Sequence, residues 1–486
     1  LNYLNIDSNR LNEVIKAVDP LVKYDLSQID ATGVDLRADA DKFIEMYDSL
    51  VIVFTHENWP IKNKDDLKNT SVQKEFLLST TVWENTVDAL LKFMDTTVYD
   101  KTGAAIGVLA LPVVKQIAPT YYDLLALDSV TVEMMANDLE LVKGLLEDVS
   151  VLDLTHMAKN GEYLTMDVKT VINHSIDVMV DSMILKGHTN SLFEHLMNNY
   201  VNGHKIAGVD VPNGTIVAEG IDFVYDRDAY KGLVDEVFAI FANENITTID
   251  QLKTFAKEIR QKSKFIEFTS QDSNWQSIEK IVNYLADMTM VEVNGLSVMN
   301  NIVSPKLDGD LAILVDFSQY NKTEFMSDID ALAILITQLN EFGIASVMRN
   351  ENINYDQVAL VKDMLNHIAS VNYLKYNLNA LIDLVDSKNV LPIKLESLKL
   401  NEFDYQGDAI FIGNAYEDLI PFLISSDNTL KTRSDIMNFI RSNFELNDTL
   451  KDAVIAHKYA FVNAYDELVQ TTMLPLLMNE VANYAK

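Results

Sequence analysis

Apolar residues return at helical spacing through most of the chain. Val237, Phe238 and Phe241 recur this way in LVDEVFAIFAN (233–243), as do Leu332, Ile334, Leu335 and Leu339 in DIDALAILITQL (328–339). Such spacing gives one apolar stripe per helix, to be buried against a neighbour. Three further acidic amphipathic segments share the pattern: ADKFIEMYDSL (40–50), NDLELVKGLLED (137–148) and AYEDLIPFLIS (415–425). Each of the five lies one connector beyond a proline.

Those prolines are themselves near-evenly placed: Pro20, Pro112, Pro212, Pro305, Pro392 and Pro475. Similar amphipathic segments precede them, namely LNEVIKAVD (11–19), VDALLKFMD (87–95), FEHLMNNYV (193–201), GLSVMNNIV (295–303), LNALIDLVD (378–386) and NAYDELVQT (463–471). Proline lacks an amide donor and clashes with the preceding turn, so each is expected to stop a helix. Two markers in phase are the signature of repeated supersecondary units. The pattern predicts a mainly α fold, a tandem array of about five units of three to four helices, elongated or superhelical. The expected boundaries are 1–29 (the tail of a preceding repeat), 30–119, 120–219, 220–314, 315–401 and 402–486.

Local signals refine this outline. Thr70 with Gln73, Thr248 with Gln251, Ser273 with Gln276 and Asn354 with Gln357 fit the capping box, in which two side chains satisfy each other's helix-end amides. LNDTLKDAVIAHKYAFVNAYDELVQ (446–470) is expected as one continuous helix. GIDFVYD (220–226), LVDFSQY (314–320) and EFDYQGD (402–408) are expected as short strands or extended connectors. Asn213–Gly214 between β-branched residues predicts a minor β-hairpin near 206–220.

Composition narrows the function. Hydrophobic residues make up 48%, while 72 Asp and Glu outweigh 39 Lys and Arg for a net charge of -33. A disordered acidic tail lacks such apolar content, so a folded protein with an acidic surface is expected. The charge opposes nucleic acid and anionic lipid. Glycine and proline, at 16 and 9, are scarce, which favours helices and disfavours the glycine-rich loops of nucleotide sites. The absence of cysteine removes disulfides, thiolate metal sites and cysteine nucleophiles together. The most apolar run, AAIGVLALPVV (104–114), is about half of what a membrane span needs, and a buried helix end is expected there.

Candidate chemistry is sparse. Ser71-Val-Gln-Lys74, Lys101-Thr102-Gly103 and Ser426-Asp427-Asn428 are similar to the three short motifs of penicillin-binding proteins and β-lactamases. The resemblance ends at those strings. That family places its K-T-G last and on a sheet edge, whereas here it comes second and no strand pattern surrounds it. Of the histidines (His56, His156, His174, His188, His195, His204, His367 and His457), only His188, His195 and His204 cluster, beside Glu194. Gly187 and Gly203 disrupt their flanks, and a metal needs three or four convergent ligands. Asp35, Asp39 and Asp41, and Asp308-Gly309-Asp310, lack a calcium-loop frame, so solvated or capping roles are expected. Trp59, Trp83 and Trp275, the tyrosines and the methionines are expected in the core.

The sequence therefore assigns no catalytic, cofactor-binding or metal-binding residue and no cofactor. It points to a non-enzymatic helical-repeat segment of a larger bacterial protein, secreted or surface-exposed. The segment would serve as a spacer or a protein- or glycan-binding surface, with no nucleic-acid partner and no membrane insertion. An intracellular, cytoplasmic scaffold for protein–protein contacts and an all-helical enzyme of unidentifiable chemistry are the alternatives.

Overall fold

A computed structural model describes residues 7–22, 25–57, 59–63, 65–206, 209–307, 317–353, 355–387, 403–442, 445–475 and 478. The chain is mainly α, 73% helical, and the described residues hold one two-stranded sheet. It divides into two compact units, Leu1–Leu196 with Phe223–Thr254 and Met197–Asp222 with Phe255–Lys486.

Each unit is built on a ladder of long amphipathic helices. In the first unit α1 (Ala40–Thr55) packs on α2 (Thr80–Met94), α2 on α3 (Val132–Ser150), α3 on α4 (Met166–Asp181), and α4 on α5 (Arg227–Asn243). In the second, α6 (Asp272–Asp287) packs on α7 (Lys322–Glu341), α7 on α8 (Tyr355–Ser370), α8 on α9 (Tyr405–Leu423), and α9 on α10 (Lys458–Leu468). All five acidic segments of the sequence map onto the odd-numbered helices.

A buried carboxylate ties the ladder together. Asp39, the N-cap of α1 and only 1% exposed, accepts from the amides of Thr97 (2.9 Å) and Val98 (3.1 Å) and from Thr97 Oγ1 (2.7 Å). Thr97 and Val98 open the helix Thr97–Ile117, just beyond the end of α2. Asp408 of α9 treats the turn after α10 in the same way, accepting from the Thr472 amide (2.8 Å), the Met473 amide (3.1 Å) and Thr472 Oγ1 (2.6 Å). Asp138 of α3 accepts from the amides of Met183 (2.7 Å) and Ile184 (3.1 Å) and from the Ser182 hydroxyl. Asp328 of α7 accepts from the amides of Asn372 (2.7 Å) and Tyr373 (2.8 Å). Where the donors open a helix, as for Asp39 and Asp328, the carboxylate satisfies two amides that have no intrahelical acceptor and complements the helix dipole; Asp138 instead closes the turn before the helix Thr189–Leu196.

A second recurrence is written directly in the chain. Met197–Val201 (MNNYV) and Met299–Val303 (MNNIV) both form a π-turn, the first after the helix Thr189–Leu196 and the second after Thr289–Val298.

The prolines follow the expectation in part. Pro20 and Pro305 lie in short 3-10 turns directly after the helix Ser8–Val18 and the π-turn Met299–Val303, so a helix stops at each, whereas Pro112 lies inside the helix Thr97–Ile117. Pro392 falls outside the described residues. The segments 87–95 and 463–471 belong to the ladder helices α2 and α10, whereas 193–201, 295–303 and 378–386 belong to helices that follow a ladder helix. The proline marker thus mixes two helix positions. What recurs is the clasped turn, where only the acceptor Asp is common and the donor residues vary.

Other local expectations are also corrected. The stretch 446–470 is two helices, Asp448–Ala456 and α10, broken at His457 (φ -102°, ψ 22°). The break lets Leu450 and Ala453 enter the cluster around Phe422 while Ala464 of α10 stays buried. Burying Leu450 is worth about 2 kcal/mol. The hairpin is shifted towards the N-terminus: β1 (Lys205–Ile206) pairs antiparallel with β2 (Val209–Asp210), Ile206 opposite Val209. Asn213–Gly214 lies beyond it, following Pro212, which has no amide to donate to a ladder. The segment 220–226 forms turns, as do the described residues of 314–320. Thr248 and Gln251 make the reciprocal cap, Gln251 N to Thr248 Oγ1 at 3.1 Å and Thr248 N to Gln251 Oε1 at 3.0 Å. Asn69 and Gln271, one position before Thr70 and two before Ser273, are the actual N-caps of their helices, and Asn354 lies outside the described residues.

The helix Thr97–Ile117 is long and apolar enough to cross a membrane, by length and composition alone. In this fold it packs on α3 and on Pro119–Leu124, with Leu111 in a cluster with Tyr122, Leu127 and Val130.

Candidate functional site

A cleft of about 720 Å³ opens in the first unit beside the end of α1. The chain is turned there by local hydrogen bonds. His56 caps α1 in an extended conformation, and the Trp59 amide donates to its carbonyl at 2.9 Å, with Pro60 next. Asp66 Oδ2 then gathers the amides of Lys62 (2.8 Å) and Asn63 (3.0 Å), closing the loop before Asn69 caps the helix Thr70–Leu77. Helix Leu154–Asn160, capped by Asp153, contributes Thr155 and Lys159 from the far side.

The lining is mixed. Trp59, Pro60, Val72 and Leu78 are apolar; Glu57, Asp66, Glu75, Lys62, Lys159, Ser79, Thr80, Thr81 and Thr155 are polar. Behind them runs an aromatic relay in edge-to-face contact. Ring centroids of Phe54 and Trp59 lie 5.4 Å apart, Trp59 and Phe76 6.1 Å, and Phe76 and Trp83 6.2 Å. Edge-to-face pairs of this kind add about 0.5–1.5 kcal/mol beyond burial and fix the ring planes. Trp59 and Trp83 therefore pack as expected, yet Trp59 also forms cleft wall. Trp275 is packed, its indole N–H donating to the Thr269 carbonyl at 2.8 Å.

A second cavity, about 470 Å³, lies in the other unit between α7, α8 and the helix Asn372–Ser387. Phe317, Phe325, Ile329, Leu332, Leu335 and Leu374 are among its apolar walls, and Asp328 reaches it. Tyr320 donates its hydroxyl to Asp328 at 2.9 Å; burial and that carboxylate hold the phenol well above its usual range. Burial does the same to Tyr405 and Tyr416, each pushed up to about 12.

The residues of the three short motifs are engaged locally. Lys101 pairs with Asp100 at 2.6 Å and packs its stem on Gly33. Asn428 is buried, donating to the Leu423 carbonyl (3.1 Å) and accepting from the Leu430 amide (2.9 Å). Ser71 and Lys74 lie on the helix Thr70–Leu77, outside the cleft lining. His195 stands edge-on to Tyr121 at 5.4 Å, and His204 Nδ1 contacts the Asn202 carbonyl at 3.0 Å. Among the described residues no three His, Asp or Glu are grouped to hold a metal ion. Asp35 caps a turn, accepting from the amides of Arg37 and Ala38 at 3.0 Å each, and Asp41 sits in the first turn of α1. Asp308 and Asp310 fall outside the described residues.

Sequence reasoning missed Lys62, Thr155 and Lys159 as cleft residues. Thr155 and Lys159 are far from Trp59 in the chain, and the packing of Leu154–Asn160 on α2 and on the helix Thr70–Leu77 brings them there. Comparison with protein-family models, with curated proteins and with solved structures finds no match for the chain.

Proposed function

We propose that the chain is a non-enzymatic helical-repeat scaffold of an exported or surface-displayed protein that holds a short neutral glycan in the Trp59 cleft. The observation that carries the reading is the mixed lining: apolar groups with an indole among hydroxyls, carboxylates and ammonium groups. A sugar has the same mixture, with apolar C–H faces and a rim of hydroxyls that both donate and accept. Pockets of this size with few convergent polar groups suit small ligands. The net charge of -33 disfavours acidic glycans, which narrows the class to neutral ones.

Calorimetric titration with a panel of neutral oligosaccharides tests this. At least one is expected to bind with a dissociation constant between about 1 µM and 1 mM. Trp59→Ala and, independently, the exposed-position change Lys159→Glu are each expected to weaken it tenfold or more, with circular dichroism unchanged for the latter. A panel with no binder, or binding indifferent to both changes, overturns the reading. Binding of an extended peptide in the same cleft would replace it with a protein-recognition scaffold.

A further inference from the structure

The ladder helices meet by a fixed register. Asn173 of α4 donates to Asp235 of α5 at 2.9 Å, and Lys362 of α8 pairs with Glu417 of α9. Asn173 and Lys362 each stand ten residues before the first clasped amide, Met183 and Asn372 respectively. Asp235 and Glu417 each stand nine residues after the aspartate at the head of their helix, Asp226 and Asp408. Thr337 of α7, nine residues after Asp328, likewise donates to Glu279 of α6 at 2.9 Å. An even-numbered helix thus presents one defined face to the odd-numbered helix after it.

On α10 that face is open. Val462 stands ten residues before the clasped Thr472 amide and is 53% exposed. Tyr459 (73%) and Val469 (49%) continue the stripe a turn or two to either side. The opposite face is spent within the unit, where Asn414 of α9 donates to Glu467 and Ala464 is buried. The complementary face is open on α1. Tyr47 (64%) and Val51 (37%) follow Ile44 (42%) at three and seven residues, a single helical stripe that ends at Phe54, whose ring packs edge-on to Trp59, and Asp48 there holds the ninth position after Asp39.

We propose that α10 of one copy of the chain seats α1 of a second copy, in the register that joins α8 to α9, so that copies add head to tail. The two stripes are those that the repeated packing pattern uses, both are apolar, and each lacks its ladder partner among the described residues. An interface made from two different surfaces of one chain leaves each added copy with one unused face, so association continues beyond a dimer into a ring or an open series. The net charge opposes it at low ionic strength, and salt screens that opposition.

Sedimentation velocity over a range of concentrations, at about 20 mM and 500 mM NaCl, tests the proposal. The expected result is a concentration-dependent series of oligomers, tighter by tenfold or more at high salt. Tyr47→Glu and Val462→Glu, both at exposed positions, are each expected to give a folded monomer. Mixed in equal amounts, they are expected to form a 1:1 dimer and nothing larger, since one variant keeps a working α10 face and the other a working α1 face. A wild-type chain that stays monomeric at high salt overturns the proposal. So does a mixture that remains monomeric, or either single variant that still oligomerises.

Discussion

At the scale of single residues, the aspartate clasp is the strongest local device. Asp39 is a buried carboxylate, and removing its two oxygens leaves the half-buried Thr97 and Val98 amides and the Thr97 hydroxyl without their acceptor. Unsatisfied buried donors cost more than a made hydrogen bond gains, so Asp39→Ala is expected to destabilise by about 3 kcal/mol. Asp39→Asn restores one acceptor oxygen but turns an NH₂ towards a donor, and should recover only part of the loss. Urea unfolding of the three proteins measures this, and an Ala variant within about 0.5 kcal/mol of wild type would show that the clasp contributes nothing. A capping role for Asp39 was legible in the sequence. Its long reach was not, because the donors lie 58 and 59 residues away and consist mainly of backbone amides, which leave no mark in the sequence.

At the scale of elements, the odd-numbered ladder helices were legible because their apolar spacing is strong and their length exceeds any strand. The breaks and turns were less so. Nothing in HKYAF announces the stop at His457, which is decided by where Leu450 and Ala453 must pack. One short string does betray repetition: Lys143-Gly144-Leu145 in α3 and Lys231-Gly232-Leu233 in α5 both begin five residues after the aspartate at positions 138 and 226. The glycine has a packing reason in α3. A Cβ on Gly144 would lie 2.8 Å from Cε1 of His174, a ring held by Asp148 at 2.7 Å. Gly144→Ala gains about 0.8 kcal/mol in helix propensity. Crowding the ring costs about 1–3 kcal/mol, and the ring cannot retreat without breaking its bond to Asp148. The expected net is a loss of about 1 kcal/mol, despite a change that favours helices in isolation. Pairing Gly144→Ala with His174→Ala should return the propensity gain, and a double variant as weakened as the single one would place the effect elsewhere.

At the scale of the whole molecule, two electrostatic effects oppose each other. Ion pairs such as Lys231–Asp177 (2.7 Å) and Lys169–Asp235 (2.9 Å) join α4 to α5, and salt weakens them. Each partly exposed pair is worth no more than about 1 kcal/mol. Against this stand 72 acids facing 39 Lys and Arg, so even complete pairing would leave 33 carboxylates repelling one another. Unfolding moves like charges apart, and their mutual repulsion reaches over about 10 Å at 0.1 M salt and about 30 Å at 0.01 M. Repulsion therefore outweighs the lost pairs. The midpoint of urea unfolding at neutral pH is expected to rise between 20 mM and 500 mM NaCl, a rise that needs a non-ionic denaturant to be seen cleanly. Sodium and potassium should act alike, because screening depends on ionic strength and not on a bound ion. A midpoint that falls with salt would mean that the ion pairs between ladder helices, few as they are beside the surplus acids, govern the stability of the fold.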